Sequence, residues 1–164
     1  MNFLLITTCA FIATTSAQST DCISQNLAVD VVAALEATLT HVGNVTQIGN
    51  ALLADDFVEI SDSILSLQSL PLGGVSAPSK QAWIEGISHS PADTNITTLD
   101  IGVVCPNKIL WQWQFNAVGR APYPVKGFNY IVMDDCPQIQ TMYIEFNSIA
   151  WALDDGELNS SATA

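Results

Sequence analysis

Two hydrophobic periods divide the chain into an amino-terminal and a carboxy-terminal part. From Ile23 to Val42 apolar residues recur every three or four positions, which predicts an amphipathic helix that ends at Gly43. A second short helix is predicted over about residues 46–54. The amino-terminal part is therefore expected to supply helices that each bury one apolar stripe.

Two polar residues in this part have the spacing of helix caps. Asp56 stands three residues before Glu59, so its side chain is placed at the start of a further short helical turn. Ser79 precedes a run that contains Trp83 and is placed as the cap of another helix. Residues 70–78, with two glycines and two prolines, are predicted to form a loop.

The hydrophobic period changes to two in the carboxy-terminal part. Residues 99–103 and 109–117 alternate between apolar and other side chains, which places the indoles of the second segment on one face. Residues 125–133 and 139–147 supply two more strands. Their connections are short, so antiparallel hairpins are expected. Helices followed by such a sheet make an α+β fold with the helices packed on one sheet face.

The first seventeen residues have the pattern of a secretory leader. Residues 3–13 form an apolar run too short to span a bilayer, and small residues lead to Ala17, where cleavage is expected. A buried first helix is the alternative. The leader interpretation gives a signal peptide over 1–17 and a single extracellular domain over 18–164. No later stretch is apolar enough to predict a membrane span.

The balance of charge disfavours nucleic acid as a partner. The 164 residues include four Lys and Arg against 16 Asp and Glu, and the formal net charge is -12. Phosphate contacts need clustered cations, which this composition does not supply. Because 49% of the residues are hydrophobic, the chain is expected to bury a core rather than to form an acidic disordered tail.

Three cysteines follow the leader: Cys22, Cys105 and Cys136. An oxidising compartment favours one disulfide bridge, and three pairings are open. A zinc site is the alternative, but these cysteines are far apart in sequence and neither His41 nor His89 is near them. No metal and no cofactor are expected.

Three asparagines begin Asn-x-Ser/Thr sequons in the predicted mature chain. They are Asn44, Asn95 and Asn159. Together with the leader, they predict a eukaryotic secreted glycoprotein in which these asparagines lie on the surface.

The closing segment of the chain resembles that of a known family. Residues 143–151 read Tyr-Ile-Glu-Phe-Asn-Ser-Ile-Ala-Trp. With Leu-Leu-Ala-Asp-Asp-Phe at 52–57, Ser-Asp-Ser at 61–63 and Ser-Lys-Gln-Ala-Trp at 79–83, they resemble the secreted fungal branch of the nuclear transport factor 2-like superfamily, which includes SnoaL-like domains. The resemblance implies a cone: about three helices over a strongly curved antiparallel sheet, with a pocket at the wide end. It implies no reaction, because the superfamily holds isomerases, dehydratases, polyketide cyclases and non-catalytic binding domains.

Either face of the last predicted strand could point into that cone. Side chains alternate along a strand, so one face carries Tyr143, Glu145 and Asn147. The other face carries Met142, Ile144 and Phe146. Turned inward, Glu145 beside aromatic walls could act as a general acid or base. Burial of the apolar face is the simpler choice, and it places Tyr143 and Glu145 outside.

Other side chains could also carry chemistry. Asp56, Glu59 and Asp62 could bring two carboxylates together, but such residues more often cap helices and face water. His89 is expected to be a solvated loop residue. Tyr130 is a further candidate hydrogen-bond donor.

These observations favour a binding or interaction module whose cone holds a small hydrophobic ligand. The alternative is a cofactor-free isomerase, cyclase or dehydratase that acts on an apolar carbonyl compound. Its base would be Glu145 or Asp56, and its donor Tyr143 or Tyr130. The resemblance also suggests a homodimer, because superfamily members often pair through the outer face of the sheet.

Overall fold

The computed structural model describes residues 22–93, 95–116, 118–119 and 123–158. The predicted leader and the Asn159 sequon lie outside these residues. In the described part, none of the helices combines the length and the apolar character that a membrane span requires.

The described residues form helices and one sheet in an α+β arrangement, as predicted. The helices are α1 (Gln25–Leu39), α2 (Val45–Leu52), α3 (Asp62–Leu67), α4 (Lys80–His89) and α5 (Ser148–Asp155). The strands are β1 (Leu53–Ile60), β2 (Ile96–Val104), β3 (Lys108–Phe115), β4 (Val125–Met133) and β5 (Ile139–Phe146).

The two main predicted helices begin at serine caps. The side chain of Ser24 accepts a hydrogen bond from the backbone N–H of Leu27 at 3.1 Å, at the start of α1. Ser79 accepts one from the N–H of Ala82 at 3.2 Å and caps α4, as expected. Each bond satisfies one of the backbone donors that a helix start leaves unpaired.

The sheet has the strand order β1-β5-β4-β3-β2. Strands β2 to β5 pair antiparallel with their neighbours in sequence, which confirms the predicted hairpins. The β1 strand adds a fifth member at the edge and runs parallel to β5. The connection between these two strands contains most of the domain, which is the long crossover that parallel pairing needs.

The helical turn predicted to start at Asp56 is wrong. Residues 53–60 form β1, in which Phe57 and Glu59 are buried while Asp56 is exposed. The cap signal was local, whereas pairing with β5 and burial of the alternate side chains act through residues about 80 positions away. Those tertiary interactions outweigh the local preference.

The sequence pattern also missed α5. The side chain of Asn147 accepts a hydrogen bond from the N–H of Ala150 at 3.0 Å and caps this helix. The helix ends at Gly156, whose φ of 83° is a left-handed conformation that glycine adopts without strain. The α5 helix packs on the sheet through Trp151, whose ring centroid lies 5.9 Å from that of Phe115 and 5.1 Å from that of Phe146.

The core lies between the helices and the inner face of the sheet. Trp111, Trp113 and Phe115 are buried on that face, which confirms the predicted orientation of the indoles. Gly127 on β4 makes room for them, since a Cβ atom there would lie 2.5 Å from Cζ2 of Trp113. A side chain at this position would therefore displace part of the aromatic core.

A disulfide joins Cys22 to Cys105 over a sequence separation of 83 residues. It is one of the three pairings that the sequence left open. Next to it, the N–H of Ile23 donates to the carbonyl oxygen of Pro106 at 2.8 Å. The start of the helical part is thus fixed to the turn between β2 and β3.

Candidate functional site

A cavity of about 560 Å³ opens between the helices and the inner face of the sheet. Its walls come from α1, α3, α4, α5 and strands β1, β3, β4 and β5, and most lining side chains are apolar or aromatic. The aromatic members are Trp83, Trp111, Trp113, Phe115, Phe146 and Trp151. This volume suits a small organic molecule, and such pockets are typically apolar with a few fixed polar groups.

Glu59 is the most deeply buried carboxyl group of this wall, with 5% of its surface exposed. The indole N–H of Trp83 donates to its Oε2 at 2.8 Å, and the hydroxyl of Ser76 donates to its Oε1 at 2.8 Å. Burial raises the pKa of Glu59, against the lowering effect of these two hydrogen bonds. The group can therefore hold a proton under conditions in which an exposed glutamate has lost it.

The backbone of β1 fixes the position of this carboxyl group. The N–H of Glu59 donates to the carbonyl of Ala77 at 2.9 Å, and the N–H of Ser76 donates to the carbonyl of Glu59 at 2.9 Å. The loop before α4 is thereby held against β1, while α4 carries Trp83 to the same carboxylate. The expectation that Glu59 belongs to a solvated acidic run is wrong, because β1 alternates and Phe57 and Glu59 share its inner face.

A second carboxyl group, Asp93, lies at the wall of the cavity and is half-buried. Burial raises its pKa to about 6; the charge of His41 acts in the lowering direction and that of Asp155 in the raising direction. The loop that carries it is held to α1, since the N–H of Asp93 donates to the carbonyl of Leu39 at 2.9 Å. The charge on this part of the wall therefore changes as the pH passes through about 6.

An amide side chain completes the polar part of the wall. Asn129 on β4 is 4% exposed and lines the cavity. Its Oδ1 accepts the indole N–H of Trp113 at 2.7 Å, and its Nδ2 faces the sulfur of Met142 at 3.2 Å. Glu59 and Asn129 are the buried polar side chains that the described cavity wall presents to a ligand.

The four catalytic candidates taken from the sequence lie elsewhere. Glu145 accepts hydrogen bonds from the N–H groups of Asp62 at 3.0 Å and of Ser63 at 3.2 Å, so it caps α3. Asp56 is exposed and accepts a bond from Gln140 at 2.8 Å. Neither carboxylate is among the described residues around the cavity.

The two tyrosine candidates form a pair on the outer face of the sheet. Tyr130 and Tyr143 face each other across β4 and β5, with ring centroids 6.2 Å apart. Met142, Ile144 and Phe146 line the cavity instead. The simpler of the two orientations considered for β5 is the one observed, so the proposed pairing of Glu145 or Asp56 with these tyrosines inside the cone is not present.

The remaining candidates have structural or solvent-facing positions. His89 is exposed at the end of α4, with Nδ1 2.8 Å from the carbonyl oxygen of Glu85. Asp62 accepts the N–H of Gly73 at 2.7 Å. The sequon asparagines Asn44 and Asn95 are both exposed, and the first also caps α2.

A comparison with protein families gives a match over almost the whole described chain. A family model described as an NTF2-like domain matches residues 21–158. No curated protein sequence matches significantly.

Several solved structures share the fold at low sequence identity. A provisionally assigned SnoaL-like polyketide cyclase from Jannaschia sp. CCS1 is 10% identical with a TM-score of 0.58, covering 89% of this chain and 100% of its own. A steroid delta-isomerase from Pseudomonas aeruginosa is 12% identical with a TM-score of 0.56, covering 88% and 100%. TerC, co-crystallised with polyporic acid, is 11% identical with a TM-score of 0.59, covering 79% and 98%.

At these identities the solved structures show a likeness of fold and not of activity. The family match covers far more than half of the chain and agrees with the mixed sheet, the covering helices and the cavity between them. The chain belongs to the family of NTF2-like domains.

Proposed function

We propose that this protein binds a small, mostly apolar molecule that carries a carbonyl or hydroxyl group, and that the cavity is its binding site. One observation carries the proposal: a carboxyl group, Glu59, is buried in a wall that is otherwise largely aromatic and aliphatic. The aromatic side chains supply apolar contact area. Glu59 supplies the polar contact that orients the ligand.

The protonation state of Glu59 determines which ligand group it can bind. A neutral carboxyl group donates a hydrogen bond to a ketone oxygen, whereas a carboxylate can only accept, for example from a hydroxyl group. Because burial raises the pKa of Glu59, the neutral form persists to higher pH than it does in an exposed glutamate. Ketone binding should therefore weaken as the pH rises through the pKa of Glu59.

The binding of 2-decalone, an apolar bicyclic ketone, tests this proposal. Tryptophan fluorescence can report it, because several indoles line the cavity. We expect binding to the unmodified protein that weakens with rising pH, and binding to Glu59→Gln that does not depend on pH in this way. Glu85→Gln makes the same chemical change at an exposed position of α4 and should behave like the unmodified protein. Equal pH profiles for all three proteins, or no binding, would contradict the proposal.

A second candidate function is proton transfer on the bound ligand. The raised pKa of Glu59 suits a general base that must release its proton again, and Trp83 and Ser76 hold the group in place. The fold neighbours named as a steroid isomerase and as a polyketide cyclase support an isomerase, cyclase or dehydratase as the class. Glu59 takes the role of base that was predicted from the sequence for Glu145 or Asp56.

Hydrogen exchange distinguishes catalysis from binding. In heavy water, a catalytic Glu59 removes a proton from the carbon next to the ketone of 2-decalone and returns a deuteron, which NMR detects. The enzyme hypothesis expects exchange above the buffer rate that Glu59→Gln abolishes and Glu85→Gln retains. Binding without accelerated exchange would leave the binding function and refute the enzyme.

We also propose that the protein is a secreted glycoprotein, like the fungal branch that its closing segment resembles. The leader pattern, the exposed Asn44 and Asn95 and the Cys22–Cys105 bridge support this proposal. Expression of the full chain in a eukaryotic secretory host should give a medium-borne protein that starts near Gln18 and loses mass on glycosidase treatment. Retention in the cell with an uncleaved amino terminus would contradict it.

A homodimer through the outer face of the sheet is the proposed assembly. Leu110 on β3, Phe128 on β4 and Tyr143 on β5 are exposed there around Tyr130 of β4, and they form an apolar outer patch. Light scattering should give the mass of two chains, and Tyr143→Glu should shift it to one. A monomeric unmodified protein would refute the dimer without affecting the cavity.

A further inference from the structure

Asn129 is a buried amide whose orientation is fixed by its neighbour. An indole N–H can only donate, so Trp113 requires the oxygen of the amide on its side. The NH₂ group of Asn129 must then point away from Trp113, towards the sulfur of Met142. A flipped amide would place its NH₂ group against the indole N–H, so that two donors face each other. Asn129 is only 4% exposed, so water could not relieve this mismatch.

The fixed NH₂ group has more hydrogen-bonding capacity than its protein contacts use. It carries two hydrogens, and the partner it faces in the described residues is a thioether, which is a weak acceptor. Because Asn129 also lines the cavity, a ligand atom can reach this group. Burying an N–H without a strong acceptor destabilises the protein, and a hydrogen bond to an oxygen atom of a ligand would remove this cost.

We propose that Asn129 is a specificity-determining contact that donates a hydrogen bond to an acceptor oxygen of the ligand. This inference rests on the proposed binding function of the cavity and extends it from one polar contact to two. Unlike the carboxyl group of Glu59, an amide does not titrate, so this donor persists after Glu59 has ionised. The ligand class is then an apolar molecule with a carbonyl or ether oxygen that is distinct from the group bound by Glu59.

The sheet register places the two contacts on separate parts of the wall. Met142 on β5 is the register partner of Glu59 on β1, and its sulfur contacts Asn129 on β4. Glu59 and Asn129 are thus two strands apart, with about 10 Å between those strands at the usual spacing of about 4.8 Å. A ligand that uses both contacts is held at two points, which fixes its orientation as well as its position.

The substitution Asn129→Asp tests the donor while it conserves the shape. One carboxylate oxygen can still accept the indole N–H of Trp113, and the other replaces the NH₂ group with an acceptor. The readout is the ratio of the dissociation constants of decalin and 2-decalone, which differ by the ketone oxygen. Measured above the pKa of Glu59, where Glu59 cannot donate, this ratio isolates the contribution of Asn129.

We expect Asn129→Asp to reduce this preference for the ketone by about 3- to 10-fold, the usual effect of one net hydrogen bond. Asn50→Asp makes the same change at an exposed residue of α2 and should leave the preference unchanged. If Asn129→Asp does not fold, Trp113→Phe removes the group that fixes the amide, and it should also reduce the preference.

The outcomes separate the inference from the function on which it rests. An unmodified protein that binds neither compound refutes the proposed function, and the inference with it. An unmodified protein that prefers the ketone, beside a folded Asn129→Asp with the same preference, refutes only the role of Asn129. A reduced preference in Asn129→Asp but not in Asn50→Asp supports both.

Discussion

The half-buried carboxyl group of Asp93 should make the stability of the folded protein depend on pH. Burial raises its pKa from 3.8 to about 6, with His41 and Asp155 acting in opposite directions. The folded state therefore binds this proton more tightly than the unfolded state does. The resulting stabilisation is complete below pH 3.8 and is lost as the pH rises through about 6. At about 1.4 kcal/mol per pKa unit, the loss approaches about 3 kcal/mol.

The substitution Asp93→Asn removes this titration because an amide stays neutral. We expect the variant to be more stable than the unmodified protein by up to about 3 kcal/mol above the titration range, and to lose most of that advantage in acid. Urea unfolding at a series of pH values measures the difference. Asp30→Asn, at an exposed position of α1, serves as the matched control.

A difference in the free energy of unfolding that stays constant with pH would contradict this prediction. If Asp93→Asn and the unmodified protein lose stability in parallel as the pH rises, the carboxyl group of Asp93 is not responsible for the pH dependence. The same conclusion follows if Asp30→Asn alters the profile as much as Asp93→Asn does.

Three further predictions concern the packing and the covalent structure. Gly127→Ala should destabilise the protein by about 1–3 kcal/mol in urea unfolding because its methyl group would overlap the aromatic core, while Gly102→Ala, with open space around its Cβ position, should cost less; equal losses would contradict this account. Replacing Cys22 and Cys105 by serine should lower the free energy of unfolding by about 4 kcal/mol for a loop of this length, and an unchanged value would show that the bridge is not formed. Gly86→Ala should raise the free energy of unfolding by about 0.5–1 kcal/mol through helix propensity, since a Cβ atom there meets nothing within 4 Å. A lower free energy of unfolding would indicate a steric clash and contradict this prediction.

Local patterns predicted the elements whose burial follows from their own sequence. The period of α1 and the alternation of β3 are strong because one continuous stripe or face is apolar in each. The cap at Ser79 involves residues only three positions apart, so it too could be read directly. These features predicted the α+β fold, whereas the cone and its pocket were implied by the family resemblance of the closing segment.

The β1 strand, which was predicted wrongly, depends on contacts between distant parts of the chain. The pairing of β1 with β5 joins residues about 80 positions apart, so the acidic segment around Asp56 gave a helix signal that the fold overrules. The same error concealed Glu59, whose burial follows only once β1 is known to be a strand. A spacing of two between Phe57 and Glu59 was the available signal.

The electrostatics of the cavity were equally hard to predict. The position of Asp93 in a loop gives no indication of burial. The charges that act on it belong to His41, far before it in the sequence, and to Asp155, far after it. The orientation of Asn129 depends on Trp113 in the neighbouring strand. The chemistry of the site therefore comes from long-range juxtaposition, whereas the scaffold comes from local pattern.

The location of bound 2-decalone shows whether the cavity is the binding site of this protein. Intermolecular nuclear Overhauser effects between the ligand and the aromatic side chains report which surface it contacts. We expect contacts with the indole protons of Trp83 and Trp113, which line the cavity beside Glu59 and Asn129. Contacts confined to the ring of Tyr143, on the outer face of the sheet, would contradict this expectation.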